Sequence, residues 1–414
     1  MGEFCFVHAA DLHLDTPFVG LGRDAPTWAE RLRDASLKAL DRLVKLAIER
    51  EAAFVVFAGD IYDGVHRGIR AQLRFRQALQ RLGEHGIRAF VAHGNHDPVR
   101  GEWSAIPNWP DNTFVFPPGE VASAVVERDG RRLATLHGIS FARPDETENL
   151  SRKFSRPAPG GLHIGVLHCN VGDIEGHDRY SPCTLEDLCG VGMGYWALGH
   201  VHTHRVLHEA PWVVYPGSMQ ARRFGAVERG AKGAVVVTAR NDTVLRAEHV
   251  PLDEARFVDL EVDASGIRSL EALADALGEA LERRSEEHAG VGLIVRAWVS
   301  GRTTLSGMLA NIMQRGELLR TLRDTSPPDV HWAQLRSTAQ PPIDLDRLAG
   351  GADLRAAVIE EWRRLKELPA AALEAELRPL LGNGPIPDIG ALDLARMLDE
   401  ASWHLLDVLG DEGE

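Results

Sequence analysis

Acidic, histidine and amide side chains recur in five short clusters between residues 11 and 202 of this 414-residue chain. They are Asp11-Leu-His13, Gly59-Asp60-Ile-Tyr-Asp63, Gly94-Asn95-His96-Asp97, Leu167-His168 and Gly199-His200-Val-His202. Carboxylate, imidazole and amide oxygen without thiolate suit Mn²⁺, Fe or Zn²⁺ better than a soft metal. The set is large enough for two ions. Paired cations about 3.5–4 Å apart clamp the attacking and leaving oxygens of a phosphoryl displacement, and their charge lets a bound water lose its proton near neutral pH. Such a site needs no nucleophilic side chain. One Asp-x-His is weak evidence; five clusters in order, each where an apolar run gives way to turn residues, are hard to obtain by chance.

The elements around them explain how they can meet. Residues 4–10 form a short apolar run. Ala35, Leu37, Leu40, Val44, Ala47 and Ile48 recur at helical spacing, and residues 53–58 make a second buried strand. A helix over 70–85 and a strand over 87–92 complete a βαβαβ pattern, an α/β layer with a largely parallel sheet. Shorter strands are expected between 113 and 136, then at 162–167, 195–198, 212–215 and 234–238. Ligands of an open α/β sheet sit at the carboxyl ends of its strands, so clusters at five strand ends converge on one place. Near Pro251 the character changes. A strand at 257–262, a helix at 269–284 with Leu270, Leu273, Leu277 and Leu281 on one face, and a strand at 292–299 make a second βαβ piece. A helix at 303–320, a proline-flanked linker or edge segment at 326–342, and helices at 352–368 and 392–409 follow, the last two separated by the Gly/Pro-rich 381–390. The expected division is 1–250, 251–345 and 346–414.

These motifs resemble those of the calcineurin-like metallophosphoesterases, D-x-H, G-D-x-x-D, G-N-H-D/E, H and G-H-x-H, over roughly residues 4–240. Within that superfamily, the segment from Tyr215-Pro-Gly-Ser218 to Phe224-Gly resembles the SbcD-type bacterial DNA-repair exonucleases. The resemblance implies an α/β sheet sandwich flanked by helices, with a small α/β capping domain and C-terminal helices. It implies that Asp11, His13 and His202 hold one metal, that Asn95, His168 and His200 hold the other, and that Asp60 bridges them. His96 matches a non-ligand histidine that protonates the leaving oxygen, and Asp63 the carboxylate that orients it; such a pairing favours imidazolium. The implied function is a two-metal, Mn²⁺-dependent DNA phosphodiesterase, exonuclease or endonuclease, acting in DNA repair with a coiled-coil ATPase docked on the C-terminal helices, or as a homodimer. The alternative is a phosphoesterase for small phosphodiesters, cyclic nucleotides or phosphoproteins. A structural subunit that keeps an idle site is a third reading, against which the complete ligand set argues.

Composition sets limits. The net charge of −14 argues against coating nucleic acid by bulk attraction, without excluding an enzyme whose metals supply local positive charge. No apolar run reaches the roughly 18 residues that would span a membrane, and the N-terminus reads as a strand rather than a signal peptide. Four cysteines without disulfide or zinc spacing fit a reducing cytoplasm. His8, His93, His137 and His163 read as structural, and His204 as a non-ligand beside the last motif. Asp97 either supports the site or caps the turn before Pro98. Arg222 and Arg223 face either substrate phosphate or solvent. Trp332, Trp362 and Trp403 read as core or interface residues. Leu392, Leu394, Ala395, Leu398, Ala401, Leu405, Leu406 and Leu409 form an apolar stripe that must be covered by the chain itself, a partner or a second copy.

Overall fold

The computed structural model describes residues 2–16, 18, 26–64, 68–99, 108–158, 160–172, 174, 178–288, 290–377 and 391–410. Two mixed sheets carry the first 251 residues. One contains β1 (Glu3–Ala9), β2 (Phe54–Ala58), β3 (Arg88–Ala92) and β4 (Thr113–Val115). The other contains β5 (Ala122–Arg128), β6 (Arg131–Gly138), β7 (Leu162–His168), β8 (Tyr195–Gly199), β9 (Arg205–Glu209) and β10 (Trp212–Tyr215). The chain then returns to the first sheet with β11 (Gly233–Arg240) and β12 (Thr243–Pro251). Strand order is β12-β11-β1-β2-β3-β4 in the first sheet and β5-β6-β7-β8-β10-β9 in the second. In each, four neighbouring strands are parallel, β1 to β4 in one and β6, β7, β8 and β10 in the other.

Burial follows from this layering. Phe6, Phe54, Val56 and Phe90 of the first sheet pack on Leu136, Ile164, Val166, Tyr195 and Ala197 of the second. The other face of the first sheet, Val7, Val55, Phe57 and Val91, packs on Leu40, Leu43, Phe75 and Leu79 of the helices Ala35–Glu49 and Ile69–Glu84. β2 is buried at all five positions. Strands covered on both faces read as continuous apolar runs, as this one does.

A third sheet of β13 (Ala255–Asp263), β14 (Gly292–Ser300) and β15 (Val330–Ser337) is wholly parallel. The helix Leu270–Glu287 crosses over between its first two strands and buries Leu273, Leu277 and Leu281. The βαβ pattern after Pro251 is therefore present. The expected helix over 303–320 is instead two, Ser306–Ala310 and Ile312–Thr325. Between them the Asn311 side chain accepts from the backbone N–H of Met313 and Gln314, an N-cap that restarts the helix. Of the two readings of 326–342, the edge one applies, because β15 lies there.

The chain divides into two compact units, Met1–Gly301 with Met308–Ala339, and Arg302–Gly307 with Gln340–Glu414. The second is helical and centres on Ile359, Trp362 and Leu406, with Leu398 and Trp403 packed alongside. Trp362 donates to Asp399 (2.8 Å), and the Arg302 guanidinium lies 4.2 Å above the Trp403 ring. Leu405 is 43% exposed, so part of the apolar stripe on the helix Ala391–Gly410 is uncovered within this unit. The side chains of Leu392, Leu394 and Ala395, and residues 381–390, lie outside the described residues. Among the described residues no helix is long and apolar enough to cross a membrane.

Candidate metal centre

The nine residues singled out by the motifs meet where the parallel strands of both sheets end. Asp11 and His13 follow β1, Asp60 and Asp63 follow β2, and Asn95 and His96 follow β3. His168 ends β7, and His200 and His202 follow β8. The first two loops are laced together: the N–H groups of Asp11 and His13 donate to the carbonyls of Gly59 (3.1 Å) and Asp60 (3.0 Å). Asp11, His13, Asp60 and His200 all have positive φ, at 51°, 43°, 52° and 104°. L-residues rarely adopt that conformation, and its concentration here is the kind of stored strain found at functional sites. Glycine is required at 199, where an added Cβ would lie 1.9 Å from the Ala58 carbonyl oxygen and 2.8 Å from His168 Nδ1. At Gly94 it would lie 2.3 Å from Asp60 Oδ1. The motif glycines let two strand ends and a ligand loop close on one point.

Hydrogen bonds decide which atoms remain for a cation. His168 Nδ1 donates to the Ala58 carbonyl (3.0 Å), which turns Nε2 toward Asn95 Oδ1 (3.0 Å) and Asp60 Oδ2 (3.4 Å). His202 Nδ1 donates to Glu228 Oε1 (3.2 Å), which leaves its Nε2 3.3 Å from His13 Nε2. His200 Nε2 donates to the Asp178 carbonyl (2.8 Å), its ring 5.4 Å from that of His168. Asp60 Oδ1 accepts the N–H of His96 (2.9 Å), and its Oδ2 alone faces both His168 and His13, the latter at 3.8 Å. Asp11 accepts the N–H of His200 on both oxygens (3.0 Å each).

These residues fit divalent cations. Asp11, His13 and His202 offer donor atoms within 4.8 Å of one another, and so do Asp11, Asp60 and His168. Two ligands on one ion at about 2.0–2.2 Å stand about 3–3.4 Å apart, which is the spacing of the His13 and His202 nitrogens. Asp11 and Asp60 are each 1% exposed, a costly burial for carboxylates unless positive charge lies among them. Burial works against the His168 imidazolium, yet the Asp60 and Asp11 carboxylates push its pKa up to about 9, so this spot favours a cation. Burial lowers the His13 pKa well below its usual value. His13 Nδ1 is buried without a hydrogen-bond partner.

His96 is the more open member, its side chain 40% exposed. Its Nδ1 lies 3.3 Å from Asp63 Oδ1, and that hydrogen bond raises the His96 pKa. His13, Asp63 and His96 also bring donor atoms within 4.8 Å of one another, so proximity alone does not separate an acid pair from ligands.

The remaining histidines have other partners. His8 accepts from the Tyr195 hydroxyl (3.0 Å) and donates to the Leu198 carbonyl (3.1 Å), and burial lowers its pKa to about 3. His93 bonds Asp97, His137 bonds Ser123 and His163, and His204 bonds the Tyr215 carbonyl and stacks on His249. Asp97 braces the site from behind, accepting the N–H groups of Ile61 (2.9 Å) and Gly94 (2.8 Å). Trp332 is buried in the third sheet.

Two contributors escape motif reading. Glu228, 1% exposed, orients His202; burial would raise its carboxyl pKa, but the His202 hydrogen bond and the charges of His202, Arg222 and Lys232 hold it at about 2. Lys232 Nζ donates to the carbonyls of His202 (2.7 Å) and Val227 (2.8 Å), and burial brings its pKa down to about 8. The only sequence cue was an acid and a rare lysine in the Gly-rich stretch after Phe224. Gly217-Ser218 also closes on this point, with Ser218 N–H donating to the His202 carbonyl (3.1 Å).

The sequence of this chain is similar to that of known proteins. Residues 5–204 match the calcineurin-like phosphoesterase family, and residues 257–336 match the middle domain of metallophosphoesterase YhaO. The uncharacterized metallophosphoesterase YhaO of Bacillus subtilis is 37% identical over 267 residues, 62% of this chain and 64% of that protein, so the match spans less than two thirds of the relative's length. The DNA double-strand break repair protein Mre11 of Thermoplasma acidophilum is 24% identical over 361 residues, 83% of this chain and 91% of that one. A solved dimetal phosphatase from Danio rerio aligns at 12% identity with a TM-score of 0.33, covering 60% of this chain and 99% of that one, too low a score to support an argument. The candidate metal-binding residues at the strand ends, from Asp11 to His202, all lie within the stretch 5–204 that is similar to the calcineurin-like phosphoesterase family.

Proposed function

We propose that the chain is a two-metal phosphodiesterase that hydrolyses DNA in repair. The observation that carries this reading is the alignment with a DNA double-strand break repair protein, which extends beyond the phosphoesterase domain to cover 83% of this chain. Asp11, His13 and His202 would hold one divalent ion and Asn95, His168 and His200 the other, with the Asp60 carboxylate serving both. Manganese is the proposed metal. Bound there, such ions would supply Lewis acidity toward a phosphate ester and lower the pKa of a bound water toward neutrality. The chain supplies the rest. The Ala58 and Asp178 carbonyls and Glu228 fix the histidine tautomers, and hydrogen bonds to outer partners of this kind orient metal-binding rings. His96, with Nδ1 held by Asp63, keeps a proton on Nε2 for the leaving oxygen. A coiled-coil ATPase docked on the helix Ala391–Gly410, whose Leu405 and Val408 are exposed, belongs to the same proposal.

The test is an assay of the pure protein with Mn²⁺ on labelled single- and double-stranded DNA beside bis-p-nitrophenyl phosphate. Cleavage of DNA and of the small diester supports the reading. Hydrolysis of the small diester with DNA left intact would move the substrate to small phosphodiesters or phosphoproteins.

A further inference from the structure

We propose that the Arg222 guanidinium is a phosphate-binding group of this site, holding a non-bridging oxygen of the substrate ester. The proposal rests on the phosphoesterase reading and adds to it a residue outside the five motifs. Arg222 lies in the loop between β10 and β11, on a backbone tied to the metal centre. Its N–H donates to Glu228 Oε2 (3.2 Å), while the other oxygen of that carboxylate holds His202 (3.2 Å). Its side chain is only 17% exposed and points toward Asp63, with Nη1 3.6 Å from Oδ2. The other oxygen of Asp63 faces His96. One carboxylate thus has the leaving-group acid on one side and a guanidinium on the other, and a phosphate within reach of His96 lies within reach of Arg222.

Two observations say that something anionic is wanted there. Arg222 Nε is buried with no hydrogen-bond partner, an expensive state for a charged donor. The ion pair with Asp63, at 3.6 Å, is longer than a hydrogen bond. The same charge already works against positive charge in the site, since Arg222 helps to lower the pKa of His13, so a guanidinium there is repelled by cations. An anion lying between them removes both penalties. The planar fork of arginine suits phosphate oxygens, which it binds in pairs. Arg223, next in sequence, is exposed and serves as the control.

The experiment uses the full-length Mn²⁺-loaded protein. Binding of inorganic phosphate is measured by calorimetry, KM and kcat are measured on bis-p-nitrophenyl phosphate, and metal is counted by elemental analysis. Arg222→Ala should keep the wild-type metal content, weaken phosphate binding by about 10–100-fold and raise KM by a similar factor. Arg222→Lys should recover part of the loss, and Arg223→Ala should match wild type. Wild-type phosphate affinity in Arg222→Ala overturns the proposal. So does loss of metal with the fold intact, which would make Arg222 a brace for Asp63 and Glu228. Should Arg222→Ala fail to fold, Arg222→Gln keeps a polar side chain without the charge, and the same phosphate constant decides. The phosphodiesterase reading fails separately, if the wild-type protein hydrolyses no phosphate ester, whereas the calorimetry still reads Arg222.

Discussion

Glu228→Gln isolates the support behind one half of the candidate metal centre. The carboxylate is 1% exposed and uses both oxygens, one for His202 Nδ1–H and one for the Arg222 N–H, each at 3.2 Å. Gln keeps the shape but replaces one oxygen with an NH₂ group. A donor then faces a donor on one side, and a buried polar group left unpaired costs about 1–3 kcal/mol. The lost charge also removes what would make His202 a stronger ligand and what partly offsets the burial of Lys232. Changes to such outer partners weaken metal affinity by about 10–100-fold, or about 1.4–2.7 kcal/mol at 1.36 kcal/mol per decade. Dialysis of the Mn²⁺-loaded variant against graded chelator, with elemental analysis and circular dichroism, reads this directly. One ion should leave at lower chelator strength, while the ion at Asn95 and His168 stays as in wild type. Two ions retained with unchanged affinity would refute the reasoning, as would equal weakening of both in a folded protein.

His96→Ala should keep both ions while hydrolysis falls by about 10²–10⁴-fold, the range for one general acid–base group; metal content falling with activity would make His96 a ligand. His8 is neutral when folded, with a pKa near 3 against 6.5 unfolded, so its contribution is complete above pH 6.5 and declines as pH drops toward 3, by up to about 1.4 kcal/mol per pH unit. Urea midpoints of His8→Phe should therefore depend less steeply on pH across this window, and an unchanged slope would show that His8 protonates in the folded state. In the helical unit, Leu406 is 1% exposed and Leu405 43%, so Leu406→Ala should cost about 2–5 kcal/mol in chemical denaturation and Leu405→Ala almost nothing. Equal effects would mean that Leu405 is covered in solution, and light scattering on Leu405→Glu tells whether a second copy covers it.

Much of this protein is legible residue by residue because its chemistry is local to strand ends. Asp11-Leu-His13 or Gly199-His200-Val-His202 each follows an apolar run, and a run buried on both faces is a strand whose end faces the same way as its parallel neighbours. The type of every donor and its position after a strand are therefore readable from the order of residues alone. What sequence spacing cannot express is which strands share a sheet. β2 and β8 have the same all-buried pattern yet belong to different sheets, and the five motifs converge because the two sheets face each other with their parallel strands ending at one rim. The tautomers of His168, His200 and His202 are also out of the sequence's reach. They depend on the Ala58 and Asp178 carbonyls and on Glu228, which lie 110, 22 and 26 residues away and belong to no motif. Arg222 stays undecided between substrate and solvent in the sequence for the same reason. An arginine in a loop has one composition whether it faces water or a metal site, and only the packing of the loop that carries Glu228 and Lys232 buries its Nε and brings its Nη1 to 3.6 Å from Asp63. Periodicity reports the burial a residue needs, while the partner that satisfies it is chosen by contacts across the fold.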